Sequence, residues 1–373
     1  MDFSQFFRSH LEDVNPYVPG KPVEEVRRER GVDKLEKLAS NENFLGTNPA
    51  SLEAAREMLS CSWIYPDSGC WSLTESLAKK CDLSPDSLIV AGGSVEVLFF
   101  LSIASLSKGD EVVSPFPSFA MYPIATRITG ARFVGTPLRS DYGYDIDALI
   151  GAFTPNTKIV YLANPNNPTG VMTLPDEISR VVSALPPQAL LVIDEAYWDL
   201  VDHPRYPDGL DWVRNAPNVF VTRSFSKGHG LAGLRVGFGV GHPQLIEGIK
   251  KVYPPFNVSS IAQVAALAAL EAPEHLERTK EMLRIERPWL TEQIRRAGFD
   301  VPDSQTNFIC VGVRQDAQSV ANSLMDLGYI VRPLKGFGLP QHIRVTVGKR
   351  DTNRGFVKAL ESLEIGATHR MGL

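Results

Sequence analysis

Short apolar runs alternate along the chain with stretches in which apolar residues recur at helical spacing. The apolar runs predict strands at residues 87–91, 111–114, 131–136, 158–163, 189–193, 219–222 and 235–240. Helical spacing separates several of them, most clearly at residues 95–106 and 178–184. Most of these strands are apolar on both faces. They therefore predict an α/β fold in which a mostly parallel sheet of about seven strands is covered by helices.

The pattern changes after residue 255. Two helices are predicted there, at residues 261–270 and 273–297, followed by short strands that alternate with one more helix. This α+β pattern predicts a small C-terminal domain. We therefore expect a large domain at residues 46–255 and a small domain at residues 256–373. Residues 1–45 form an N-terminal arm, in which residues 24–37 are expected to be a solvated helix.

The composition excludes several classes of protein. The chain has 373 residues, of which 43% are hydrophobic and 22% charged, and its net charge is −5. No Lys/Arg-rich run is present, which argues against a nucleic-acid partner. The longest apolar runs are shorter than the roughly 20 residues that span a bilayer. The charged N-terminus does not resemble a signal peptide, and the four cysteines have neither disulfide-framework nor metal-site spacing. A cytoplasmic location without membrane contact or bound metal is expected.

Polar residues follow the predicted strands where open α/β sheets bind their ligands. Gly92, Gly93 and Ser94 lie between a strand and a helix, so they form either an anion site at the helix start or a plain tight turn. Residues 164–170 read NPNNPTG after another strand. Two prolines and a glycine make this loop stiff, and Asn167 can offer an amide to a ligand oxygen.

Asp194 ends a strongly apolar run, where a carboxylate is costly unless it meets a cation. One interpretation is a Walker-B-like aspartate that holds Mg²⁺ with Glu195, but no GxxxxGK[ST] string accompanies it. The other interpretation is a counter-ion to a protonated ring nitrogen. Tyr197, three residues on, can reach the same site.

The stretch at residues 219–240 contains Lys227 between hydroxyl groups and glycines. Ser224, Ser226 and Arg235 are the donors that a phosphate requires. A polar loop with an exposed lysine is the plain alternative. A dinucleotide-binding fingerprint is a third, although the glycines of residues 237–241 lack the G-x-G-x-x-G spacing. A lysine, phosphate donors, a carboxylate for a ring nitrogen and an amide for a ring oxygen together indicate pyridoxal phosphate.

With these motifs, the chain resembles the fold-type I pyridoxal-phosphate aminotransferases, and within them the histidinol-phosphate aminotransferases. The matching strings extend over nearly the whole chain. They are SNEN (40–43), YPD (65–67), NPNNPTG (164–170), DEAY (194–197), SFSKGHGLAGLRVGFG (224–239), PFNVSSIAQ (255–263), NF (307–308) and IVRPL…GFGLPQHIRVTVG (330–348). The lysine segment and NPNNPTG are typical of the superfamily, whereas YPD, PFNV and IRVTVG favour the subfamily.

The resemblance implies a role for each candidate residue. Lys227 would carry the cofactor and serve as general base and acid, with Asp194 at the pyridine nitrogen and Tyr197 at the phenolic oxygen. The remaining cofactor contacts would be Asn167, Phe119, Gly93, Ser94, Ser224, Ser226, Arg235 and Tyr65 of the partner subunit in a homodimer. The substrate side would consist of Arg344, Arg332, Tyr17 and Asn41. The arm at residues 1–45 would contribute to the small domain and to the dimer contact, and residues 46–255 would bind the cofactor.

The activity implied is transamination of L-histidinol phosphate with 2-oxoglutarate, giving imidazole acetol phosphate and glutamate in histidine biosynthesis. An aromatic amino-acid aminotransferase is a near alternative, with Trp71, Phe119 and Phe337 as a possible aromatic pocket. Threonine-phosphate decarboxylation and a catalytically silent regulatory module are the others. The chain departs from the family pattern at Val95, His229 and Tyr253 and at residues 70–71.

Overall fold

The computed structural model of the chain describes residues 6–32 and 34–363. The predicted segments that include residues 1–5, 33 or 364–373 therefore lie partly outside the described residues. In the described part there are twelve strands. They are β1 (Glu36–Lys37), β2 (Leu88–Ala91), β3 (Glu111–Pro115), β4 (Arg132–Thr136), β5 (Thr157–Ala163), β6 (Leu190–Asp194), β7 (Val219–Ser224), β8 (Gly237–Val240), β9 (Phe308–Gly312), β10 (Tyr329–Ile330), β11 (Arg332–Pro333) and β12 (His342–Thr346).

The described part also contains thirteen α-helices, in addition to short 3-10 turns. They are α1 (Val23–Arg30), α2 (Pro49–Met58), α3 (Trp71–Cys81), α4 (Ser94–Ser105), α5 (Met121–Arg127), α6 (Ile146–Gly151), α7 (Pro175–Ala184), α8 (Gly209–Asn215), α9 (Pro243–Lys250), α10 (Ser260–Glu271), α11 (Glu274–Arg296), α12 (Ala317–Asp326) and α13 (Arg350–Ser362). None of these helices combines the length and apolar character needed to cross a bilayer.

The predicted helix at residues 24–37 is wrong in its second half. Helix α1 ends at Arg30 because Gly31 adopts a left-handed conformation with φ of 64°. Residues Glu36 and Lys37 then form β1, which pairs in parallel with β10. The N-terminal region is thereby joined by a short two-stranded sheet to the C-terminal part of the chain.

Seven strands form the central sheet, in the order β2-β8-β7-β6-β5-β3-β4. All are parallel except β8, which is antiparallel to both of its neighbours. Alternate residues of each strand pack into different cores, because successive side chains point to opposite faces. In β7, Val219 and Val221 belong to the core on one face and Phe220 to the core on the other. The α/β fold expected from the doubly apolar runs is confirmed.

A second, smaller layer contains the antiparallel sheet β11-β12-β9. Its core includes residues of α11, α12 and α13, so an α+β unit accompanies the large sheet as expected. The division of the chain at residues 45 and 255 stays a prediction. Helix α10, which follows residue 255, packs its alanines into the core of the seven-stranded sheet, so the packing places α10 with the large sheet.

A buried ion pair joins the carboxyl ends of β6 and β7. Nε and Nη2 of Arg223 donate to Oε2 of Glu195 at 2.8 and 2.6 Å, and both side chains are almost completely buried. Removing one partner of such a pair typically costs about 3–5 kcal/mol, because the other charge is left uncompensated. Glu195 is thereby engaged in the core, and neither Glu195 nor Arg223 lines the cavity described next.

Candidate active site

The main candidate site is a cavity of about 430 Å³ at the carboxyl ends of the parallel strands. Asn167 enters it from the loop after β5, Asp194 from the end of β6 and Lys227 from the loop after β7. The parallel order of β5, β6 and β7 brings these three ends to one edge of the sheet. The amine and the carboxylate singled out in the sequence therefore face the same cavity.

The NPNNPTG loop is held by its own asparagines. Asn164 Nδ2 donates to the carbonyl of Thr173 at 3.2 Å, and the Thr173 N–H donates back to Asn164 Oδ1 at 2.8 Å. Asn166 Nδ2 donates to Thr169 Oγ1 at 2.9 Å, while its Oδ1 accepts a bond from Ser118 at 2.8 Å. Because these amides satisfy the loop internally, the side chain of Asn167 is left to face the cavity.

Asp194 is buried and is bound only by neutral donors. Tyr122 donates to Oδ2 at 2.9 Å, and Thr222 and the Ala196 N–H donate to Oδ1 at 3.1 and 3.3 Å. No basic side chain of the described residues forms an ion pair with this carboxylate. Burial raises the pKa of Asp194, and the bonds from Tyr122 and Thr222 oppose that rise. The carboxylate is therefore oriented toward a cavity in which a cationic ligand would stabilise its charge.

Lys227 lies in the same cavity with its amine held by backbone oxygens. Nζ donates to the carbonyls of Ser40 and Asn41 at 3.3 and 3.2 Å. Burial, together with the nearby charge of Arg344, lowers the pKa of Lys227 to about 7. An amine with this pKa can accept and release a proton near neutral pH, as a general base and acid must do.

One end of the cavity has donors for an anion. The hydroxyl-bearing residues Ser94, Ser224 and Ser226 line it together with Arg235, and Ser94 is the first residue of α4. A helix N-terminus favours negative charge. Gly93 lies directly behind Arg235 with φ of 95°, and a Cβ at this position would be 2.6 Å from Arg235 Nη2. Only glycine fits here without moving the guanidinium.

The cavity wall also contains two arginines from neighbouring strands. Arg332 of β11 and Arg344 of β12 are direct antiparallel partners. Arg344 is buried and donates to Asn167 Oδ1 at 2.6 Å and to the Ala39 carbonyl at 2.9 Å. Arg332 donates to the Val18 carbonyl at 2.6 Å. Nε of each guanidinium is buried without a partner among the described residues, so the protein does not satisfy all the donors of either arginine.

Three further predicted residues complete the cavity wall. The Tyr17 ring centroid is 5.3 Å from Arg332 Cζ. Asn41 Nδ2 donates to the Tyr197 hydroxyl at 2.8 Å. Phe119 also lines the cavity and packs edge-on against Tyr122. The structure thus brings together every candidate residue except Gly93, which is behind the wall, and Tyr65.

Tyr65 lies outside the cavity of its own chain. Its side chain is 78% exposed and stacks on Phe256, with 4.7 Å between ring centroids. Trp71 is likewise 67% exposed and does not line the cavity. Of the aromatic pocket considered from the sequence, only Phe119 and Phe337 reach the site.

Several residues of the site were missed by sequence reasoning. Lys37, Ser40 and Glu42 line the cavity, although residues 40–43 were recognised as a motif. Tyr122 and Thr222 bind Asp194 but are 72 and 28 residues away from it in the chain. The register of β6 with β7 pairs Thr222 directly with Asp194, and only the folded sheet shows this contact.

The fold, the buried lysine and the two groups of anion donors in the cavity indicate an aminotransferase. The family model for aminotransferase class I and II matches residues 33–360, and the chain belongs to this family. Its relatives include the histidinol-phosphate aminotransferase 1 of Nitrosococcus oceani, 40% identical over 361 residues and covering 97% of both chains. The histidinol-phosphate aminotransferase of Moorella thermoacetica is 40% identical over 357 residues, which cover 95% of this chain and 92% of that protein.

Solved structures of aminotransferases have the same fold as this chain. The histidinol-phosphate aminotransferase of Sinorhizobium meliloti, solved in complex with pyridoxal-5'-phosphate, has a TM-score of 0.86 at 26% identity. The similarity covers 96% of this chain and 98% of that one. The aspartate aminotransferase of Thermus thermophilus has the same fold, with a TM-score of 0.83 at 24% identity.

The titration of Lys227 can be predicted from its surroundings. In the cofactor-free protein, we expect reductive methylation of Lys227 to increase with pH around a midpoint of about 7 instead of the ordinary 10.5. Arg344→Met should move the midpoint upward, because it removes a positive charge that disfavours the protonated amine. Peptide mass spectrometry across a pH series measures both midpoints. A midpoint near 10 in the unmodified sequence would contradict the burial of this amine.

Proposed function

We propose that the protein is a pyridoxal-phosphate-dependent transaminase that moves the amino group of L-histidinol phosphate to 2-oxoglutarate. The products are imidazole acetol phosphate and glutamate, and the reaction belongs to histidine biosynthesis. The observation that carries the proposal is that Lys227 and Asp194 face one cavity whose wall also contains two groups of donors for anions. The names of the relatives at 40% identity support the choice of substrate.

The residues present fit the cofactor. A protonated pyridine nitrogen would supply the positive charge that the Asp194 carboxylate lacks among the side chains of residues 6–32 and 34–363. Asn167 and Tyr197 would bind the phenolic oxygen, and Phe119 would cover the ring. Ser94, Ser224, Ser226 and Arg235 would hold the phosphate at the start of α4, with Gly93 leaving space for the arginine. When bound, pyridoxal phosphate supplies an electron sink for the pair released as the amine-bearing carbon loses its proton.

Lys227 provides both the attachment point and the proton transfer. Its amine is held by the carbonyls of Ser40 and Asn41, which orients Nζ while leaving its lone pair available. Because the pKa of Lys227 is lowered to about 7 by burial, a large share of the amine is neutral at physiological pH. Nζ can therefore take a proton from the substrate carbon and return it later in the cycle.

Arg332 and Arg344 account for the use of two different substrates. L-Histidinol phosphate and 2-oxoglutarate each carry an anionic group at a distance from the reacting carbon. A guanidinium binds a phosphate or a carboxylate through paired N–H groups. Arg344 is fixed by Asn167 and by the Ala39 carbonyl, so the same cation can receive either group in the two halves of the cycle.

We also propose a cytoplasmic homodimer with shared active sites. Exposed large apolar side chains include Trp63, Ile64, Tyr65, Trp71 and Phe256, and Tyr65 stacks on Phe256. Exposed apolar side chains are typical of a protein interface. We propose that Tyr65 reaches the cavity of the partner subunit, since it does not line the cavity of its own chain. The four cysteines are all free, which is consistent with a reducing compartment.

The substrate assignment predicts a clear preference. Purified protein with added pyridoxal phosphate and 2-oxoglutarate should turn over L-histidinol phosphate with a higher kcat/KM than L-phenylalanine, and it should not decarboxylate L-threonine phosphate. Lys227→Ala should abolish turnover and remove the visible absorbance of the bound cofactor, because it removes the amine to which the cofactor would be attached. Glutamate formation measures transamination, and carbon dioxide release measures decarboxylation. Preferred turnover of phenylalanine would refute the substrate while leaving the cofactor assignment in place.

The shared site predicts complementation. Lys227→Ala and Tyr65→Ala each impair every site of a homodimer. A heterodimer of the two variants instead has one site with both residues intact. Co-expressed variants that carry different affinity tags should therefore give a purified heterodimer with up to about half of the wild-type activity, one site of two. A heterodimer no more active than Tyr65→Ala alone would show that Tyr65 does not act across the interface.

A further inference from the structure

Lys227 is bound at both of its ends by one short segment, residues 40–43. At the tip of the side chain, Nζ donates to the carbonyls of Ser40 and Asn41 at 3.3 and 3.2 Å. At the backbone, Asn43 Nδ2 donates to the carbonyls of Lys227 and Gly228 at 3.2 and 2.9 Å. Four consecutive residues therefore define the positions of both the reactive amine and the peptide that carries it.

The first part of this segment is rigidly held. Asn41 is buried and has a left-handed conformation with φ of 57°. Its N–H donates to Thr346 Oγ1 at 3.0 Å, and its carbonyl accepts a bond from Asn307 Nδ2 at 3.0 Å. Because Asn41 is bound on several sides, its carbonyl is a fixed reference for Nζ of Lys227.

The lysine loop itself is closely packed on the other side. A Cβ at Gly228 would lie 2.3 Å from Asp199 Oδ2 and 2.5 Å from a methyl carbon of Leu276. Apart from the bond of the Gly230 N–H to the Lys227 carbonyl at 3.3 Å, the carbonyls of Lys227 and Gly228 are bound by Asn43. The loop is thus held between a packed wall and a single amide side chain.

We propose that Asn43 is a positioning residue for the reaction, which places the Lys227 amine by holding the Lys227 and Gly228 carbonyls. Without this amide, two backbone oxygens lose a donor and the loop can move away from residues 40 and 41. Nζ then loses its carbonyl partners and part of its burial. The proposal rests on the proposed function, in which Lys227 is the catalytic lysine, but its first test needs neither cofactor nor substrate.

Asn48 offers a matched control. It is a nearby buried asparagine whose Nδ2 donates to the Ala272 carbonyl at 3.1 Å and whose Oδ1 caps α2 through the Ala50 N–H at 3.0 Å. Asn48→Ala therefore removes an amide donor and a local acceptor, as Asn43→Ala does through the Leu45 N–H. The backbone N–H of Asn48 donates to the His229 carbonyl of the lysine loop at 3.3 Å, but the substitution keeps this bond and removes only side-chain bonds that do not reach the loop. Both variants should therefore lose stability, while only Asn43→Ala should affect the amine.

The first measurement uses the cofactor-free protein. The charged groups around Nζ are Arg344, Arg235, Lys37 and Glu42, with Asp194 on the wall of the same cavity, and neither variant changes them. Loss of burial should raise the pKa of Lys227. In Asn43→Ala, the pH midpoint for reductive methylation of Lys227 should rise by about one unit or more. In Asn48→Ala it should stay at the wild-type value.

The second measurement uses the cofactor-loaded enzyme. A misplaced amine slows proton transfer, so kcat of Asn43→Ala should fall roughly ten- to a hundredfold, with a much smaller change in KM. Asn48→Ala should retain kcat. If both variants shift neither the methylation midpoint nor kcat, or shift them equally, Asn43 has only a structural role and the proposal is overturned. If the enzyme turns over no histidinol phosphate, the methylation result still decides the role of Asn43.

A third variant separates two ways in which Asn43 could act. Its Nδ2 also donates to Thr279 Oγ1 of α11 at 3.0 Å, and Thr279 in turn donates to the His275 carbonyl at 2.9 Å. If Asn43 acts directly on the lysine loop, Thr279→Val should leave the methylation midpoint of Lys227 unchanged. A shift as large as that of Asn43→Ala would mean that α11 sets the position of the lysine, which would contradict the proposal.

Discussion

The carboxylate of Asp194 is buried at the end of β6, and no cationic side chain in the described part of the chain forms an ion pair with it. A charge in such a place is costly, and three neutral donors offset only part of that cost. The neighbouring acidic residue shows the contrast, because Glu195 is neutralised by Arg223 within the core. Of two adjacent carboxylates, one is thus satisfied by the protein and the other is left for a ligand. Most of the other residues of the site line the cavity that Asp194 faces and that Glu195 does not reach.

The Lys227 amine lines the same cavity as Asp194, and its charged form is likewise disfavoured. Burial and the charge of Arg344 disfavour protonation of Lys227, so the cavity keeps an uncharged nucleophile close to neutral pH. The cost of the Asp194 charge and the lowered pKa of Lys227 both depend on the exclusion of water from the edge of the sheet where β5, β6 and β7 end. Two groups of anion donors line the same cavity, the serines with Arg235 and the arginine pair of β11 and β12.

The doubly apolar strands were predictable from the sequence, because a parallel sheet covered on both faces requires continuous apolar runs. Their ends were less predictable. The last strand of the large sheet was expected to begin at residue 235, but Arg235 adopts a left-handed φ of 56° and β8 begins at Gly237. Helices α6, α8, α9 and α13 were not predicted. Helices α6 and α8 have only six and seven residues, and helices this short depend on tertiary packing. The apolar residues of α9 and α13 do recur at helical spacing, and this signal was missed. The candidate residues that follow strands were found because their position in the chain already indicates the ligand-binding edge. Contacts set by register and long-range packing, such as those of Tyr122 and Thr222 with Asp194, have no local signal.

The central claim is that Lys227 and Asp194 hold one ring between them, with Lys227 as the attachment point. Reduction of the protein with borohydride in the presence of pyridoxal phosphate, followed by peptide mass spectrometry, tests it directly. The peptide that contains Lys227 should gain the mass of one reduced cofactor, and Asp194→Ala should weaken cofactor retention without moving the site of attachment. Labelling of Lys37, the other lysine on the cavity wall, or of no lysine in the cavity, would contradict the account.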